Sequence, residues 1–233
     1  MYQVIKVLNN NGIIVKRKES NKEYIFLGKG IGFGRKIGDQ FDSYEDAKVY
    51  KLQEDSNLFG EKNDLDHEDI IYLEIANEII VLAEKQLGEM DEGILLLLAE
   101  HIAYAVKRRK NGMIISNPLS EEISVLFSDE YEVVKQAVDI IQKYKGIIMD
   151  KQEIGYIALH VHSAIVDEKV SQAMQLAQAV RECITLVEAY TGKKIDVTTL
   201  SYNRLMNHVR YMIARCLHGE KLKVSMNDYM LIK

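Results

Sequence analysis

The sequence predicts a multidomain protein in which a small N-terminal antiparallel β-sheet domain is followed by all-α helical bundle domains. Three observations predict this fold class. Turn-punctuated, β-rich segments fill about the first fifty residues, and apolar residues recur at helical spacing from Asp64 onward. The chain contains one proline and no tryptophan, which favours long uninterrupted helices. Its 233 residues suffice for two or three small domains.

The first predicted elements are four short strands. The β-rich runs 4–8 and 13–15 flank a turn cluster that ends in Asn11-Gly12. Asn-Gly is a strong hairpin signal because both turn positions require a positive φ. A second hairpin is predicted over residues 22–37, through a series of glycines. Because four such strands have a marginal core, the sheet should need a partner, most simply a second copy of itself.

The remaining elements are predicted helices. Gly88 and Asn111-Gly112 are helix-ending signals, and the cations that precede the second of them suit the negative end of a helix dipole. Pro118 marks a loop. The predicted helices cover residues 64–87, 90–109, 121–145, 151–166, 168–190 and 197–217. Their short connections favour antiparallel bundle packing.

The net charge of −5 conceals an uneven distribution. Residues 1–42 carry eight Lys/Arg and four Asp/Glu, a charge of +4, and subtracting this from −5 leaves −9 for the remainder. The net charge of −5 excludes a uniformly basic nucleic-acid-binding protein. A small basic head on a larger acidic body indicates two different functions.

The composition also indicates the compartment. Two cysteines, Cys183 and Cys216, are too few for a disulfide scaffold and fit a reducing cytoplasm. No apolar run approaches the roughly 18 residues that a membrane span requires. The N-terminus lacks the charged start and apolar core of a signal peptide. The sequence therefore predicts a cytoplasmic protein without membrane insertion.

The most unusual local feature is a glycine at every second position over residues 28–34. No Gly-Lys-Ser/Thr closes a Walker loop, and no amphipathic helix follows as in a dinucleotide fingerprint. In a strand, alternating glycines would expose bare backbone beside Lys29, Phe33, Arg35 and Lys36. This combination suits a nucleic-acid backbone with a base stacked on the aromatic ring. The alternative is a glycine-rich bend with Phe33 in the small core.

Three histidines, His101, His160 and His208, lie in predicted helices. A lone histidine in such a position is usually a hydrogen-bonded core residue, but three in comparable helical settings weaken that interpretation. Metal binding is disfavoured because His160 and His162 are two residues apart and so face different sides of a helix. No serine or cysteine occupies a recognisable nucleophile turn. The sequence therefore predicts neither a metal site nor a catalytic triad.

Two sets of motifs resemble the BglG/SacY/LicT-type transcriptional antiterminators. Segment 5–12, Ile-Lys-Val-Leu-Asn-Asn-Asn-Gly, and segment 27–33, Leu-Gly-Lys-Gly-Ile-Gly-Phe, are similar to the RNA-binding co-antiterminator domain. Segment 117–123, Asn-Pro-Leu-Ser-Glu-Glu-Ile, and segment 153–160, Glu-Ile-Gly-Tyr-Ile-Ala-Leu-His, are similar to the PTS regulation domain. That helical module is phosphorylated on histidine by the sugar phosphotransferase system (PTS).

The resemblance implies three domains and a set of site residues. The RNA-binding domain would cover residues 1–58, the first regulation domain 59–170 and a partial second regulation domain 171–233. His101 and His160 match the two phosphorylatable histidines of the first regulation domain, and His208 matches the first histidine of the second. The positions that match RNA contacts are Lys6, Asn11, Gly28, Lys29 and Phe33, with Asn9, Asn10, Arg35 and Lys36 as weaker candidates.

Two site positions depart from the family pattern. Glu100 stands where aspartate usually precedes the first histidine, and Lys29 stands where arginine is common. Both substitutions keep the charge. Lysine, however, lacks the planar fork with which arginine binds a phosphate through two hydrogen bonds.

The implied function is control of transcription without catalysis, cofactor or DNA contact. A homodimer would stabilise a leader-RNA hairpin and so prevent termination of a sugar-utilisation operon. Phosphorylation of His101 and His160 by a PTS sugar permease would inactivate the protein, and the phosphocarrier HPr would activate it through the second regulation domain. The alternative is a PTS-linked, phosphorylation-sensing protein-interaction module whose N-terminal sheet only dimerises.

Overall fold

The computed structural model describes residues 1–42, 47–52, 67–166, 169–195 and 199–217. Within them a five-stranded antiparallel sheet precedes seven α-helices, which confirms the predicted fold class. The strands are β1 (Tyr2–Asn9), β2 (Gly12–Arg17), β3 (Glu23–Leu27), β4 (Gln40–Phe41) and β5 (Lys48–Lys51). The predicted domain boundary at residues 58 and 59 falls outside the described residues, as do the helix starts predicted at residues 64, 168 and 197.

The helices agree with the prediction except at two positions. Residues 90–93 were predicted to be helical but form a turn that precedes the helix. The helix predicted over residues 121–145 is wrong, because Phe127 divides it into α3 and α4. The helices are α1 (His67–Leu87), α2 (Ile94–Lys110), α3 (Ser120–Leu126), α4 (Ser128–Lys145), α5 (Lys151–Val166), α6 (Val170–Thr191) and α7 (Leu200–Leu217). In the described part of the chain, none of them is both long and apolar enough to cross a membrane.

The break at Phe127 follows from tertiary packing. The backbone there adopts φ −120° and ψ 45°, outside the helical range, and the buried ring lies 4.3 Å from the ring of His162. Helix α3 packs in a core with α6 and α7, whereas α4 packs in a core with α1, α2 and α5. The apolar periodicity runs through both helices and so does not mark the break, although Ser128-Asp129-Glu130 is the type of segment with which a helix begins.

The strand order in the sheet is β4-β1-β2-β3-β5. The predicted hairpin of β1 and β2 is present, but Asn9 pairs with Gly12, so its turn residues are Asn10 and Asn11. Neither has a positive φ. The Asn11-Gly12 turn of positive φ expected from the sequence is therefore wrong.

The second predicted hairpin is also wrong. Strand β3 pairs with β2 and β5, and the segment that follows β3 forms consecutive turns. The N–H groups of Ile31, Phe33 and Arg35 each donate to a carbonyl three residues earlier. Gly30 and Gly34 have φ of 76° and 70°, a left-handed conformation that ends any extended strand. The alternating glycines therefore build a loop.

The two faces of the sheet pack differently. One face carries its own small core, which comprises Val4, Ile13, Val15, Phe26 and Ile31. The opposite face carries Ile14, Ile25, Leu27 and Tyr50, which belong to the same core as helix α1 of the bundle. Neighbouring side chains alternate between faces, as the pleat of a strand requires. The second face therefore packs against helices of the same chain. The sequence analysis had instead predicted that the sheet would pack against a second copy of itself.

Candidate nucleic-acid interface and histidine pair

The β1–β2 turn and the glycine loop after β3 form one hydrogen-bonded unit. The N–H groups of Gly28 and Gly32 donate to the backbone carbonyls of Asn11 and Asn10, at 2.9 and 3.0 Å. The N–H of Gly30 donates to Oδ1 of Asn11 at 3.1 Å. The two segments singled out for RNA contact are thereby brought together, although about twenty residues of chain separate them.

Gly32 fits between the two loops because it has no side chain. A Cβ at this position would lie 2.0 Å from the carbonyl oxygen of Asn9. That oxygen belongs to the backbone, so no side-chain rotation can relieve the overlap. Gly32 was absent from the predicted contacts, although the alternating glycines were the signal that could have identified it.

We expect Gly32→Ala to lower the free energy of unfolding by about 2 kcal/mol, because the overlap must displace backbone. Hairpin RNA should also bind more weakly, because the turn and the loop no longer hold their relative positions. Urea denaturation followed by circular dichroism measures the first effect, and a binding titration measures the second. Ile37→Ala, at an exposed site further along the same loop, is the control. Equal values for the two variants would contradict the packing role of Gly32.

Apart from Ile31, which is buried in the small core, the glycine loop carries exposed side chains. The ring of Phe33 is 76% exposed, so the alternative that placed it in the small core is wrong. Lys29 and Lys36 are exposed as well, and Arg35 stacks its guanidinium on Phe41 at 5.0 Å from the ring centre. Cations and an unshielded aromatic ring therefore share one surface. Lys6 lies half-buried in the middle of β1.

Asn9 connects this surface to the helical bundle. Its Oδ1 accepts the backbone N–H of Asn11 at 2.8 Å, and its Nδ2 donates to Oε1 of Glu74 on α1, also at 2.8 Å. A crevice of about 160 Å³ separates the loops from the helices. Its lining residues are Asn11, Leu27, Gly28, Lys29, Glu74, Asn77, Glu78 and Tyr144. The loops thus adjoin an acidic side of α1.

His101 on α2 and His160 on α5 meet in the bundle, with their ring centroids 5.0 Å apart. The ring of Tyr156, one turn earlier on α5, lies 5.8 Å from that of His101. Both helices belong to the larger core, and their packing brings together two histidines that are 59 positions apart in the chain. The sequence identified both residues and gave no sign that they touch.

A buried carboxylate lies beside this pair. Glu153 is 1% exposed and accepts two hydrogen bonds from Arg108, from Nε at 3.0 Å and from Nη2 at 2.8 Å. Its Oε2 is 3.5 Å from Nε2 of His101. Burial alone would raise the pKa of Glu153, but His101 and Arg108 hold that pKa below its ordinary value. Neither Glu153 nor Arg108 was predicted as a site residue; a glutamate within an apolar helical run was the available signal.

The surroundings of the His160 ring favour its neutral form. Burial, followed in size by the charge of His101, lowers the pKa of His160 to about 3. The ring opens onto a cavity of about 360 Å³ between α2 and α5, with Lys169 at its edge. A neutral imidazole has a free nitrogen lone pair, and that lone pair is what attacks a phosphoryl group.

The low pKa of His160 predicts a pH dependence of stability. The unfolded chain binds a proton at this residue below about pH 6.5, whereas the folded chain does so only near pH 3. The stabilisation is therefore complete above pH 6.5 and is lost as the pH falls. We expect the free energy of unfolding to decrease by about 1 kcal/mol per pH unit on this account.

Comparison with a variant isolates this effect, because burial raises the pKa of Glu100 to about 7 and produces the opposite slope. His160→Gln should flatten the loss of stability between about pH 6 and pH 4 in urea titrations. His208→Gln, at an exposed site on α7, should leave the profile unchanged. Parallel profiles for wild type and His160→Gln would contradict the neutral, buried state of His160.

His162 and His208 lie in different surroundings. His162 points to the opposite side of α5, where its Nδ1 is 2.8 Å from Oε1 of Glu130. His208 is exposed, so the expectation that it shares the setting of His101 and His160 is wrong. Among the residues that the structure describes, no group of three or more His, Cys, Asp or Glu side chains could hold a metal ion.

Known proteins are similar to this chain in sequence. Two protein-family models match the chain, the CAT RNA binding domain over residues 2–58 and the PRD domain over residues 77–164. Protein GlcT of Staphylococcus epidermidis is 31% identical over 100% of this chain and 82% of its own length. The chain belongs to the BglG family of transcription antiterminators. The transcription antiterminator LicT of Bacillus subtilis is 29% identical over 98% of this chain and 82% of its own length.

A crystal structure of GlcT CAT-PRDI aligns with this antiterminator at a TM-score of 0.58 and 35% identity, over 70% of this chain and 98% of the other. The family membership inferred from the sequence motifs is thus confirmed. The CAT match contains both loops of the candidate interface, and the PRD match contains His101 and His160. His208 lies outside both matches.

Proposed function

We propose that this antiterminator binds a leader-RNA hairpin through the joined loops of its CAT domain and so keeps an overlapping terminator from forming. The observation that carries the proposal is the hydrogen-bonded unit of turn and glycine loop, with Lys29 and Phe33 exposed on it. Cations on this surface match RNA phosphates, and an exposed ring can stack on an unpaired base. The remaining proposed contacts are Lys6, Asn9, Asn10, Asn11, Gly28, Arg35 and Lys36.

We further propose that histidine phosphorylation through the PTS controls this binding. His101 and His160 touch inside the PRD match, and a phosphoryl group on His101 adds nearly two negative charges to a ring that adjoins the buried carboxylate of Glu153. Such a charge disfavours the packing seen here and favours another arrangement of the helices. A PTS sugar permease would be the inactivating donor, and HPr would act at His208 in the second regulation domain.

The functional protein in this proposal is a homodimer. It acts in the cytoplasm, where leader transcripts and the phosphocarrier are found. Its parts are the RNA-binding domain (1–58), the first regulation domain (59–170) and the partial second domain (171–233). Helices α6 and α7 share a core with α3 and with Leu159 of α5, so the two regulation domains would be in direct contact. A conformational change in one regulation domain could thereby alter the packing of the other.

The test of the RNA proposal is the salt dependence of hairpin binding by the full chain. A surface that neutralises several phosphates gives a steep linear fall of log affinity with log salt. A sheet that serves only for dimerisation, as in the alternative function of a phosphorylation-sensing interaction module, binds the hairpin no better than an unrelated acidic protein. The slope therefore separates the two functions.

The test of the regulatory proposal is the position of acid-labile phosphate after incubation with the phosphorylated PTS proteins. Label at His101 or His160 supports permease control, and label at His208 supports control by HPr. His162, which is hydrogen-bonded to Glu130, is an internal control that should stay unlabelled. If neither His101 nor His160 carries phosphate, control through the first regulation domain is wrong.

A further inference from the structure

We infer that His101 accepts its phosphoryl group on Nδ1 and not on Nε2, and that Glu153, held by Arg108, is the positioning residue that determines this. The inference rests on the proposed phosphorylation of His101 and specifies its atom. It follows from the contacts around the ring.

The Nε2 atom of His101 is closed to a phosphoryl donor. It is buried from solvent, and it faces Oε2 of Glu153 at 3.5 Å. A phosphoryl group on Nε2 would bring three negatively charged oxygens against a carboxylate that is itself 1% exposed. Nδ1 lies across a ring carbon from Nε2, away from this contact.

The same contact prepares Nδ1 for reaction. A neutral imidazole carries its proton on one nitrogen, and the hydrogen-bonding partner of that nitrogen fixes which one it is. Nε2 of His101 lies 3.5 Å from Oε2 of Glu153, at the outer limit of a hydrogen bond, and the negative charge of this carboxylate favours the proton on Nε2 and the lone pair on Nδ1. Arg108 donates to both oxygens of Glu153, which fixes the carboxylate in orientation and keeps it ionised.

The transfer step is balanced without any further reactant. The lone pair of His101 Nδ1 attacks phosphorus, and the bond from phosphorus to the donor nitrogen breaks. The electron pair of that bond leaves with the donor, which takes up a proton from water. The His101 ring gains positive charge as the new N–P bond forms, and the adjacent Glu153 carboxylate stabilises that charge through the Nε2 proton.

The isomer of phosphohistidine is measurable. We would phosphorylate the full chain with phosphoramidate, which releases ammonia, locate the phosphate by peptide mapping at alkaline pH, and assign the nitrogen by ¹⁵N and ³¹P NMR. His101 should carry phosphate on Nδ1 alone. His208, which is exposed, should give the mixture of isomers typical of an unconstrained histidine side chain and so serves as the internal control. Phosphate on Nε2 of His101 would overturn the inference and leave the proposed regulation intact.

Two variants test the part played by the carboxylate. Glu153→Gln keeps the size of the side chain but presents an amide that can donate to Nε2, so the favoured tautomer is lost. Labelling of His101 should slow by at least about tenfold and should give both isomers. Arg108→Lys, which removes the paired hydrogen bonds and keeps the charge, should have a smaller effect of the same kind.

The possible failures are distinguishable. If Glu153→Gln folds as judged by circular dichroism and labels at the wild-type rate on Nδ1, Glu153 is not the positioning residue. If it fails to fold, the isomer formed in the wild-type chain still decides the inference. If neither phosphoramidate nor the PTS proteins label His101, the proposed regulation at this residue and the inference built on it are both wrong.

Discussion

We expect the replacement of Lys29 and Phe33 together by alanine to lower the affinity of the full chain for its proposed leader hairpin by about 100-fold. Stacking of one base on an aromatic ring contributes about 1–3 kcal/mol, and loss of a phosphate contact removes a further salt-dependent part. Both side chains project from the glycine loop into solvent. Their removal therefore takes away contacts with the ligand and little from the folded protein.

The salt dependence distinguishes the two contributions. Lys29→Ala alone should reduce the slope of log affinity against log salt by about 1, and Phe33→Ala alone should leave the slope unchanged. A matched control is Lys135→Ala with Tyr190→Ala, since both residues are exposed on the helical bundle and the loss of charge and aromatic area is the same. If the two double variants bind RNA equally well, the loop is not the RNA-binding surface.

We expect Phe127→Ala to lower the free energy of unfolding by about 3–5 kcal/mol, the cost of removing a large side chain from a closely packed interior. Phe127 is 1% exposed, lies between α3 and α4, and packs in the core that α3 forms with α6 and α7. Its ring also contacts His162. The alanine side chain leaves a cavity at the point where the two regulation domains would join.

Urea denaturation of the full chain measures this loss. Phe127→Leu refills most of the volume and should lose less than about 1.5 kcal/mol. Tyr190→Ala, which removes a ring of similar size that is 92% exposed, should change the free energy of unfolding by no more than about 0.5 kcal/mol. Similar values for Phe127→Ala and Tyr190→Ala would contradict the packing role of Phe127.

Local signals in the sequence were sufficient for much of this fold. Runs of β-branched residues predicted β1 to β3, and apolar spacing with Gly88 and Asn111-Gly112 as stop signals predicted the ends of α1 and α2. The periodicity did not predict the break at Phe127, because it continues through both α3 and α4, and the helix-start signal in Ser128-Asp129-Glu130 was missed. The glycine series was misinterpreted for a related reason, since composition does not reveal the sign of φ at Gly30 and Gly34.

The residues of the site were easier to predict from the sequence than the contacts between them. His101 and His160 were identified individually by their resemblance to a family motif, and the exposed Phe33 by its place in the glycine series. The contacts of His101 with Glu153, and of Asn9 with Glu74, depend on how helices and loops far apart in sequence pack together. A pattern within one segment carries no information about such a neighbour.

The shared amide of Asn9 makes the loop and the bundle one thermodynamic system. The same side chain holds Asn11 through Oδ1 and Glu74 through Nδ2. Any ligand that draws Asn9 away from Glu74 must supply the free energy of that bond, and any displacement of α1 that breaks the bond alters the affinity for the ligand by the same factor. A ligand that moves Asn9 would thereby be sensed at α1, and a displacement of α1 that breaks the bond would be sensed at the loop.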